Sequence, residues 1–283
     1  EPMPDQSLRL EWILKNSIQP GYKERAPLQE YGDLSELNEN RLILDAVGRQ
    51  TLFHIAEDAI DLLDTSVAVY EKTGDYAFGT FASGWCRLMD GASRRLCRTD
   101  DNREALASGR WLCHENCWND SAKAAIESGK PVDIACTGGI RLYSEPIFAG
   151  QATVGAINIG YGTPPTDAAA IKELSRKFDI PEAELQRAAE TYVPRPDFVV
   201  EIAKKRLQSG ARLIGQMVER WQRELELLES KRRMDTLLSN LPGMAYRCRN
   251  VSKWTMKFVS QGCLALTGYT AEELTGDRGV AYG

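Results

Sequence analysis

Residues 131–160, PVDIACTGGIRLYSEPIFAGQATVGAINIG, decide the fold that the sequence predicts. They contain three short runs, PVDIAC, RLYSEPIF and ATVGAINIG, which are separated by Gly139 and Gly150. Short apolar and β-branched runs between glycine-containing turns are typical of antiparallel strands that follow one another in a sheet. We therefore predict a meander of three strands over this stretch.

An earlier hairpin adds strands to the predicted sheet. The runs SVAVY and AFGTF flank the turn-forming segment EKTGDY over residues 66–81. Between the hairpin and the meander, SGWCRLMD and DSAKAAIES have helical patterns, and Asp120 or Ser121 is the predicted N-cap of the second helix. This order predicts an α+β domain with a single sheet of five or six strands, the architecture of small-ligand sensor domains of the PAS and GAF type.

The charge balance argues against nucleic-acid binding as the main task of the chain. Its 283 residues include 35 Lys and Arg against 40 Asp and Glu, which gives a formal net charge of -5. A protein that coats phosphate backbones needs a basic surplus. Hydrophobic residues make up 43% and charged residues 27%, which is ordinary globular usage, and the length favours two domains.

The sequence also lacks the marks of secretion and membrane insertion. The N-terminal stretch EPMPDQSLRLEWILKNS has acidic residues early and no basic region followed by an apolar core. The longest run without charge, 146–166, is broken by glycines and prolines and is too polar to span a bilayer as a helix. We expect a cytoplasmic protein without a membrane partner, in which residues 1–38 form an extension with one short helix or strand at LRLEWIL.

A long helix is predicted from residue 196 onward, because some forty residues contain no proline and only two glycines. Within it, apolar residues recur with spacings of 4, 3, 4, 3, 4 and 3 at Leu207, Ala211, Ile214, Val218, Trp221, Leu225 and Leu228. Such a stripe is typical of a coiled-coil seam. The alternative is a helix packed on its own domain, but the narrow and regular stripe favours a homodimer through residues 207–228.

The cysteines suggest two kinds of site. The chain has seven, at Cys86, Cys97, Cys113, Cys117, Cys136, Cys248 and Cys263. Four of the first five, Cys97, Cys113, Cys117 and Cys136, are candidate ligands for zinc or an iron–sulfur cluster, with Cys86 as a fifth. Only Cys113 and Cys117 are close in sequence, and they are separated by three residues, whereas the paired cysteines of a zinc knuckle are separated by two. Thiols that line a sensor pocket and thiols that pack in the core are therefore equal alternatives to a metal site.

The candidate ligand-binding residues are Phe81, Trp85, Cys86, His114 and Tyr143. Aromatic side chains commonly form the walls of ligand sites, although they also fill cores. His114 is either a ligand-binding or metal-binding residue or a surface residue beside a turn. The glycines fit neither a phosphate loop nor a dinucleotide fingerprint, and no nucleophile has a base and orienting residue at a motif-like spacing, so we expect no active site in this chain.

The C-terminal segment, residues 233–283, resembles the beginning of a PAS domain. The resemblance rests on MDTLLSNLPGMAYRCRN followed by KWTMKFVSQGCLALTGYTAEELTGD. The matching elements are a helix that ends at Leu241-Pro242-Gly243, strands at 244–249 and 256–260, a helix at 261–267 and a further helix at 271–274. The resemblance covers only the first half of a PAS domain, so we expect the later strands of that domain to be missing.

Residues 39–195 resemble the PocR sensory domain, a PAS-related module of bacterial and archaeal regulators. The resemblance is carried, in order, by SGWCRLMDGASRRLC, LCHENCW and IACTGGIRLYSEPIFAGQATVGAINIGYG. It implies a cytoplasmic input that binds a small polar organic compound or a hydrocarbon derivative, joined by a signalling helix at 196–232 to the PAS segment. Histidine kinase, diguanylate cyclase or DNA-binding outputs usually accompany such modules, and a sensor histidine kinase is the expected context. A metal or redox sensor is the alternative.

Overall fold

The computed structural model describes residues 30–63, 65–81, 84–249 and 256–275. It divides into two compact units, of which the first ends at Glu219 and the second begins at Arg220. The LRLEWIL segment lies outside the described residues. A short 3-10 helix at Leu34–Leu37 falls within the predicted extension.

The first unit is built on a five-stranded antiparallel sheet in the order β2-β1-β5-β4-β3. The strands are β1 (Ser66–Glu71), β2 (Tyr76–Phe81), β3 (Val132–Ala135), β4 (Arg141–Ala149) and β5 (Ala152–Tyr161). Both the hairpin and the meander are therefore confirmed. The β4–β5 turn has two residues, and its first, Gly150, has φ +61, a conformation that side chains other than glycine rarely adopt.

Helices cover both faces of the sheet. Those of the first unit are α1 (Leu42–Val47), α2 (Arg49–Leu63), α3 (Gly84–Arg95), α4 (Asn102–Ala107), α5 (Leu112–Glu115), α6 (Lys123–Ser128), α7 (Ala168–Phe178) and α8 (Glu182–Glu190), and α9 (Asp197–Asn240) continues into the second unit. The single long helix predicted from residue 196 is confirmed by α9.

One sheet face packs against α1, α2 and the first half of α9. Four residues of the predicted seam, Leu207, Ala211, Ile214 and Val218, are buried in this core and are at most 2% exposed. The predicted seam is therefore wrong for 207–218, because a helix that lies on its own sheet also presents a narrow apolar stripe. Leu225 and Leu228 are 45% and 64% exposed, and a seam through 221–228 stays a prediction.

The other sheet face carries a second core with α3, α5, α7 and α8, in which Trp85, Met89, Trp111, Ile171 and Phe178 are almost fully buried. Between α5 and α6 the chain forms a π-helix at Asn116–Ala122. The predicted N-cap at Asp120 or Ser121 is therefore wrong, because both residues lie inside a helical segment that begins at Leu112. Asn116 Nδ2 donates to Asp120 Oδ2 at 2.8 Å within that segment.

The second unit contains the C-terminal half of α9, an antiparallel pair of strands β6 (Tyr246–Cys248) and β7 (Met256–Val259), and helices α10 (Cys263–Thr267) and α11 (Ala271–Leu274). Val259, Cys263 and Leu274 form its small core. Thr270 caps α11 in a reciprocal capping box with Glu273. These elements follow the predicted order, while the assignment to a PAS domain remains a proposal.

Within the described ranges, no helix is both long enough and apolar enough to cross a membrane.

Candidate functional site

A cavity lies between the sheet and the helices of the second core. The sheet contributes residues such as Ala68, Phe81, Leu142, Asn158 and Gly160, and the turn before β4 contributes Cys136 and Gly138. Helix α3 provides Trp85, Cys86 and Met89, and the helical segment from Leu112 provides Cys113 and Cys117. Three of the five predicted ligand-binding residues, Phe81, Trp85 and Cys86, thus line one cavity.

The cavity is small. The centre of a water-sized sphere can occupy about 30 Å³ of it, and the surrounding empty space, open mouth included, is about 500 Å³. A single water molecule needs roughly 10–15 Å³ measured in the first way. The cavity therefore admits two or three water molecules, or a molecule of a few non-hydrogen atoms, without movement of its walls.

The described residues of the walls carry no formal charge, because none of them is Asp, Glu, Lys, Arg or His. Trp85 is fixed in the wall by a hydrogen bond in which its Nε1 donates to the carbonyl oxygen of Gly138 at 2.9 Å. An ion inside this site would lose its hydration without gaining an opposite charge, which costs far more than burial of a neutral group. The arrangement favours uncharged, largely apolar guests.

Four thiols, those of Cys86, Cys113, Cys117 and Cys136, line this cavity. Burial raises the pKa of Cys113 and of Cys117 well above the ordinary value, and it raises the pKa of Cys136 to about 11. The thiols of Cys113, Cys117 and Cys136 therefore stay protonated near neutral pH. Since the thiolate is the nucleophile, the surroundings of these three thiols disfavour reactive chemistry.

Cys97, the remaining member of the predicted metal set, lies apart from the cavity. It is buried near α4, and its Sγ donates to the carbonyl oxygens of Ser93 and Ala105 at 3.7 and 3.8 Å. Among the residues that the structure describes, no group of three or more His, Cys, Asp or Glu side chains is arranged to hold a metal ion. The geometry favours pocket-lining thiols over a four-cysteine centre.

Asn158 is a polar cavity residue that sequence reasoning missed. It lies on β5 opposite Ala68 and Ser144 of the neighbouring strands and is 2% exposed. Its Nδ2 donates to the carbonyl oxygen of Cys117 at 3.0 Å, which ties β5 to the π-helix. The available signal was a lone amide in the apolar run ATVGAINIGY.

His114 does not line the cavity, although its neighbour Cys113 does. The hydroxyl of Tyr70 donates to that of Tyr76 at 3.1 Å, and Tyr76 in turn lies 3.0 Å from Nδ1 of His114. The Tyr76 hydrogen is then free to point at Nδ1, which makes that nitrogen an acceptor and the imidazole neutral. Burial also lowers the pKa of His114 to about 4. In this position the histidine is a member of a buried hydrogen-bond chain.

Tyr143 lies on the opposite face of the sheet from the cavity, because side chains alternate along a strand and its neighbour Leu142 lines the cavity. Its hydroxyl donates to Glu145 Oε2 at 2.6 Å and accepts from Gln208 Nε2 of α9 at 3.0 Å. Tyr143 therefore contacts the long helix.

A polar cluster on that same face joins α9 to the sheet. Nζ of Lys204 lies 4.4 Å from the ring centroid of Tyr161 and also contacts Asp133. The guanidinium of Arg141 donates to Asp133 Oδ1 at 2.6 and 3.0 Å. Burial alone would raise the pKa of Asp133, but hydrogen bonds from Tyr161, Lys204 and Arg141 outweigh it and lower that pKa. We call Lys204, Gln208, Asp133, Tyr143 and Tyr161 the helix latch.

A buried carboxylate holds the segment before α1 against α3. Asp90 accepts from the Tyr31 hydroxyl at 2.5 Å and from Trp111 Nε1 at 2.8 Å. Burial raises the pKa of Asp90 to about 6 in spite of these two donors. The group lies outside the cavity and acts as a structural tie.

Comparison with known proteins gives one family match. The model of the family described as the sensory domain found in PocR matches residues 45–223. A chain of the crystal structure of the E. coli DhaR(N)-DhaL complex aligns over 95% of this chain and 78% of its own length, with 11% sequence identity and a TM-score of 0.42. No curated protein matches the sequence.

Proposed function

The chain belongs to the PocR sensory domain family, and from this membership we propose that it senses a small uncharged organic molecule bound in the cavity lined by Trp85 and the four thiols. A sensory input region is what the family match supports. The proposal adds the position of the site and the chemistry of the ligand.

One observation carries the proposal: strands β4 and β5 lie between the cavity and the long helix. Leu142 and Asn158 line the cavity, while Tyr143 and Tyr161 on the same strands contact Gln208 and Lys204 of α9. A ligand that alters the spacing of these strands would therefore alter the helix latch directly. A shift between two helix arrangements needs only a few kcal/mol of difference in ligand affinity.

The ligand class follows from the cavity walls. An uncharged molecule of a few non-hydrogen atoms satisfies both the small volume and the lack of charged side chains. A redox or metal role is the alternative, which the four clustered thiols suggest. The raised pKa values of Cys113, Cys117 and Cys136 disfavour the redox role.

We propose that α9 carries the signal to a contact between two copies of the chain. The part of α9 within the second unit exposes Leu225, Leu227, Leu228, Met234 and Leu237 by 45–72%. An apolar stripe that repeats at heptad spacing is stabilised when a second helix covers it. We place the contact between two copies at Trp221, Leu225 and Leu228.

We place this sensor in the cytoplasm, as the input of a histidine kinase, with a diguanylate cyclase as the alternative output and residues 233–283 as the beginning of a PAS domain. This context rests on the sequence resemblances alone. Incubation of the natural protein with labelled ATP or with GTP distinguishes the outputs, since a kinase incorporates phosphate and a cyclase releases a cyclic dinucleotide.

A ligand screen with a cavity-filling variant tests the site. Gly160 lines the cavity, and a Cβ added there would lie 3.5 Å from Cys86 Sγ and 3.1 Å from Cδ1 of Ile140. We expect uncharged organic molecules of three to six non-hydrogen atoms to raise the melting temperature of the natural sequence, and Gly160→Ala to weaken their binding about tenfold. Stabilisation by charged molecules only, or binding that Gly160→Ala leaves unchanged, would contradict the proposed site.

A further inference from the structure

One largely buried cavity residue, Asn158, has an acceptor that is open to the cavity, since no fully buried side-chain nitrogen or oxygen of the described residues lacks a hydrogen-bond partner. Asn158 is 2% exposed and lines the cavity. Its orientation is fixed by chemistry: a carbonyl oxygen can only accept, so the side-chain atom 3.0 Å from the Cys117 carbonyl must be the Nδ2 donor. The other amide atom, Oδ1, has no hydrogen-bond partner among the described residues.

The surroundings explain why this acceptor stays open. Of the residues directly opposite Asn158, Ala68 has no polar side-chain atom. The other, Ser144, is engaged at 2.6 Å with Ser121 across the sheet–helix interface. The cavity walls are largely apolar, and burial raises the pKa of Cys117 and of Cys136.

An open acceptor in such a site selects its guest. A guest without a donor that covers this oxygen leaves it without a hydrogen bond, at a cost of roughly 1–3 kcal/mol, whereas a guest with an O–H or N–H group supplies the bond. A site built around one polar partner discriminates strongly against an analogue that lacks that group. Among the described residues that line the cavity, Ser66 at the start of β1 is the other one with a side-chain hydroxyl or amide.

We propose that Asn158 Oδ1 is the specificity-determining acceptor of the cavity, and that the site selects small uncharged molecules that donate a hydrogen bond over isosteric molecules that cannot. This inference rests on the proposed function, because it names the group that would recognise the ligand. No covalent step is involved.

The test uses 2-propanol and acetone, two uncharged probes with the same number of non-hydrogen atoms, of which only the first donates. Both are titrated into isotope-labelled natural protein, and the side-chain amide signals of Asn158 are followed by NMR. We expect 2-propanol to bind about tenfold more tightly than acetone. The amide signals should shift more with the alcohol at equal occupancy.

Two variants assign the preference to one residue. Asn158→Ala should bring the affinity ratio close to one, whereas Ser66→Ala, a second cavity residue with a polar side chain, should leave it unchanged. If Asn158→Ala does not fold, the Asn158 amide signals in the Ser66→Ala variant still report which probe contacts the amide.

The outcomes separate this inference from the proposed function. Equal binding of both probes that Gly160→Ala weakens would overturn the role of Asn158 and leave the sensor cavity supported. A preference lost in Ser66→Ala and kept in Asn158→Ala would assign the selection to the serine. Absence of binding by either probe at high concentration would count against both proposals.

Discussion

Nζ of Lys204 lies 2.9 Å from Oδ2 of Asp133, and this ion pair joins the long helix α9 to the edge strand β3. The lysine side chain is only 17% exposed and also lies over two tyrosine rings of the neighbouring strands. The helix is therefore held to the sheet by a charged contact in addition to its apolar stripe. Since β4 and β5 line the cavity on their other face, the pair lies beside the strands that separate the cavity from the helix.

Replacement of this lysine should loosen the helix. We expect Lys204→Met to lower the free energy of unfolding of the first unit by about 1–2 kcal/mol, since it removes a partly buried ion pair and a cation–π contact. Lys205→Met is the matched control, because Lys205 is the exposed neighbour on the same helix, and it should change the stability by less than about 0.5 kcal/mol. Denaturant unfolding measures both, and equal effects would show that the latch does not hold the helix.

The buried histidine should make the protein sensitive to acid. Burial lowers the pKa of His114 from 6.5 to about 4, so the unfolded chain binds a proton more readily than the folded one between these values. Stability is therefore lost as the pH falls through this window, by about 3 kcal/mol in total. His114→Asn, which keeps an acceptor near the position of Nδ1, should remove this loss. Thermal unfolding followed between pH 4 and 7 gives the comparison, and an unchanged acid profile in the variant would refute it.

Asp90 should act in the opposite direction. Burial raises its pKa from 3.8 to about 6, so the folded state binds the extra proton, and its contribution to stability is present at low pH and is lost as the pH rises through about 6. Between pH 4 and 6 the change in the free energy of unfolding due to Asp90 thus offsets the change due to His114. We expect Asp90→Asn to steepen the loss of stability on acidification, because the histidine then acts alone. The slope of unfolding free energy against pH is the measurement, and a flatter slope would contradict the prediction.

The strands were predictable from sequence, whereas the faces they present were not. The runs around Gly139 and Gly150 contain their own turn signals, so the meander follows from local chemistry. Tyr143 and Leu142 are neighbours in the same run, yet one contacts α9 and the other lines the cavity. Alternate residues of a strand face opposite sides of the sheet, and the side that faces the cavity depends on where the helices pack. That packing is decided by contacts between residues distant in sequence.

The π-helix and the cavity residue Asn158 were likewise not predictable from local sequence. Asn116–Ala122 has no local sequence signal that separates it from an α-helix, and it is tied to the sheet by the Asn158–Cys117 hydrogen bond. Phe81, Trp85 and Cys86 could be chosen for the cavity because aromatic and sulfur side chains commonly line such sites. Asn158 became a candidate only once the register placed it under the helical segment that carries Cys117.

Protonated thiols should be slow to react. Because the pKa of Cys136 is raised to about 11, its thiolate fraction near neutral pH is roughly 100-fold below that of a thiol with the ordinary value of 9. We expect iodoacetamide to modify Cys136 and Cys117 at least 100-fold more slowly in the folded protein than in urea, as followed by mass spectrometry of the peptides. Fast modification of the folded protein, or zinc or iron retained on purification, would favour the redox or metal alternative.

The two halves of the apolar stripe on α9 should respond differently to the same substitution. Leu207 is 2% exposed in the core of the first unit, so Leu207→Glu buries an unpaired carboxylate and should cost about 3 kcal/mol or more of stability. Leu228 is 64% exposed in the second unit, so Leu228→Glu should leave the melting temperature of the first unit unchanged and abolish self-association.

Leu227 supplies the matched control for this pair, because it is 72% exposed but lies off the heptad stripe of Trp221, Leu225 and Leu228. Sedimentation of Leu207→Glu, Leu228→Glu and Leu227→Glu then shows whether a dimer depends on the heptad stripe or on exposed apolar surface in general. A dimer lost in Leu228→Glu and kept in Leu227→Glu places the contact on the stripe, since the two substitutions add the same charge one residue apart. A dimer kept in both would remove the helix from the interface, and the signal would then have to leave the first unit through the latch within a single chain.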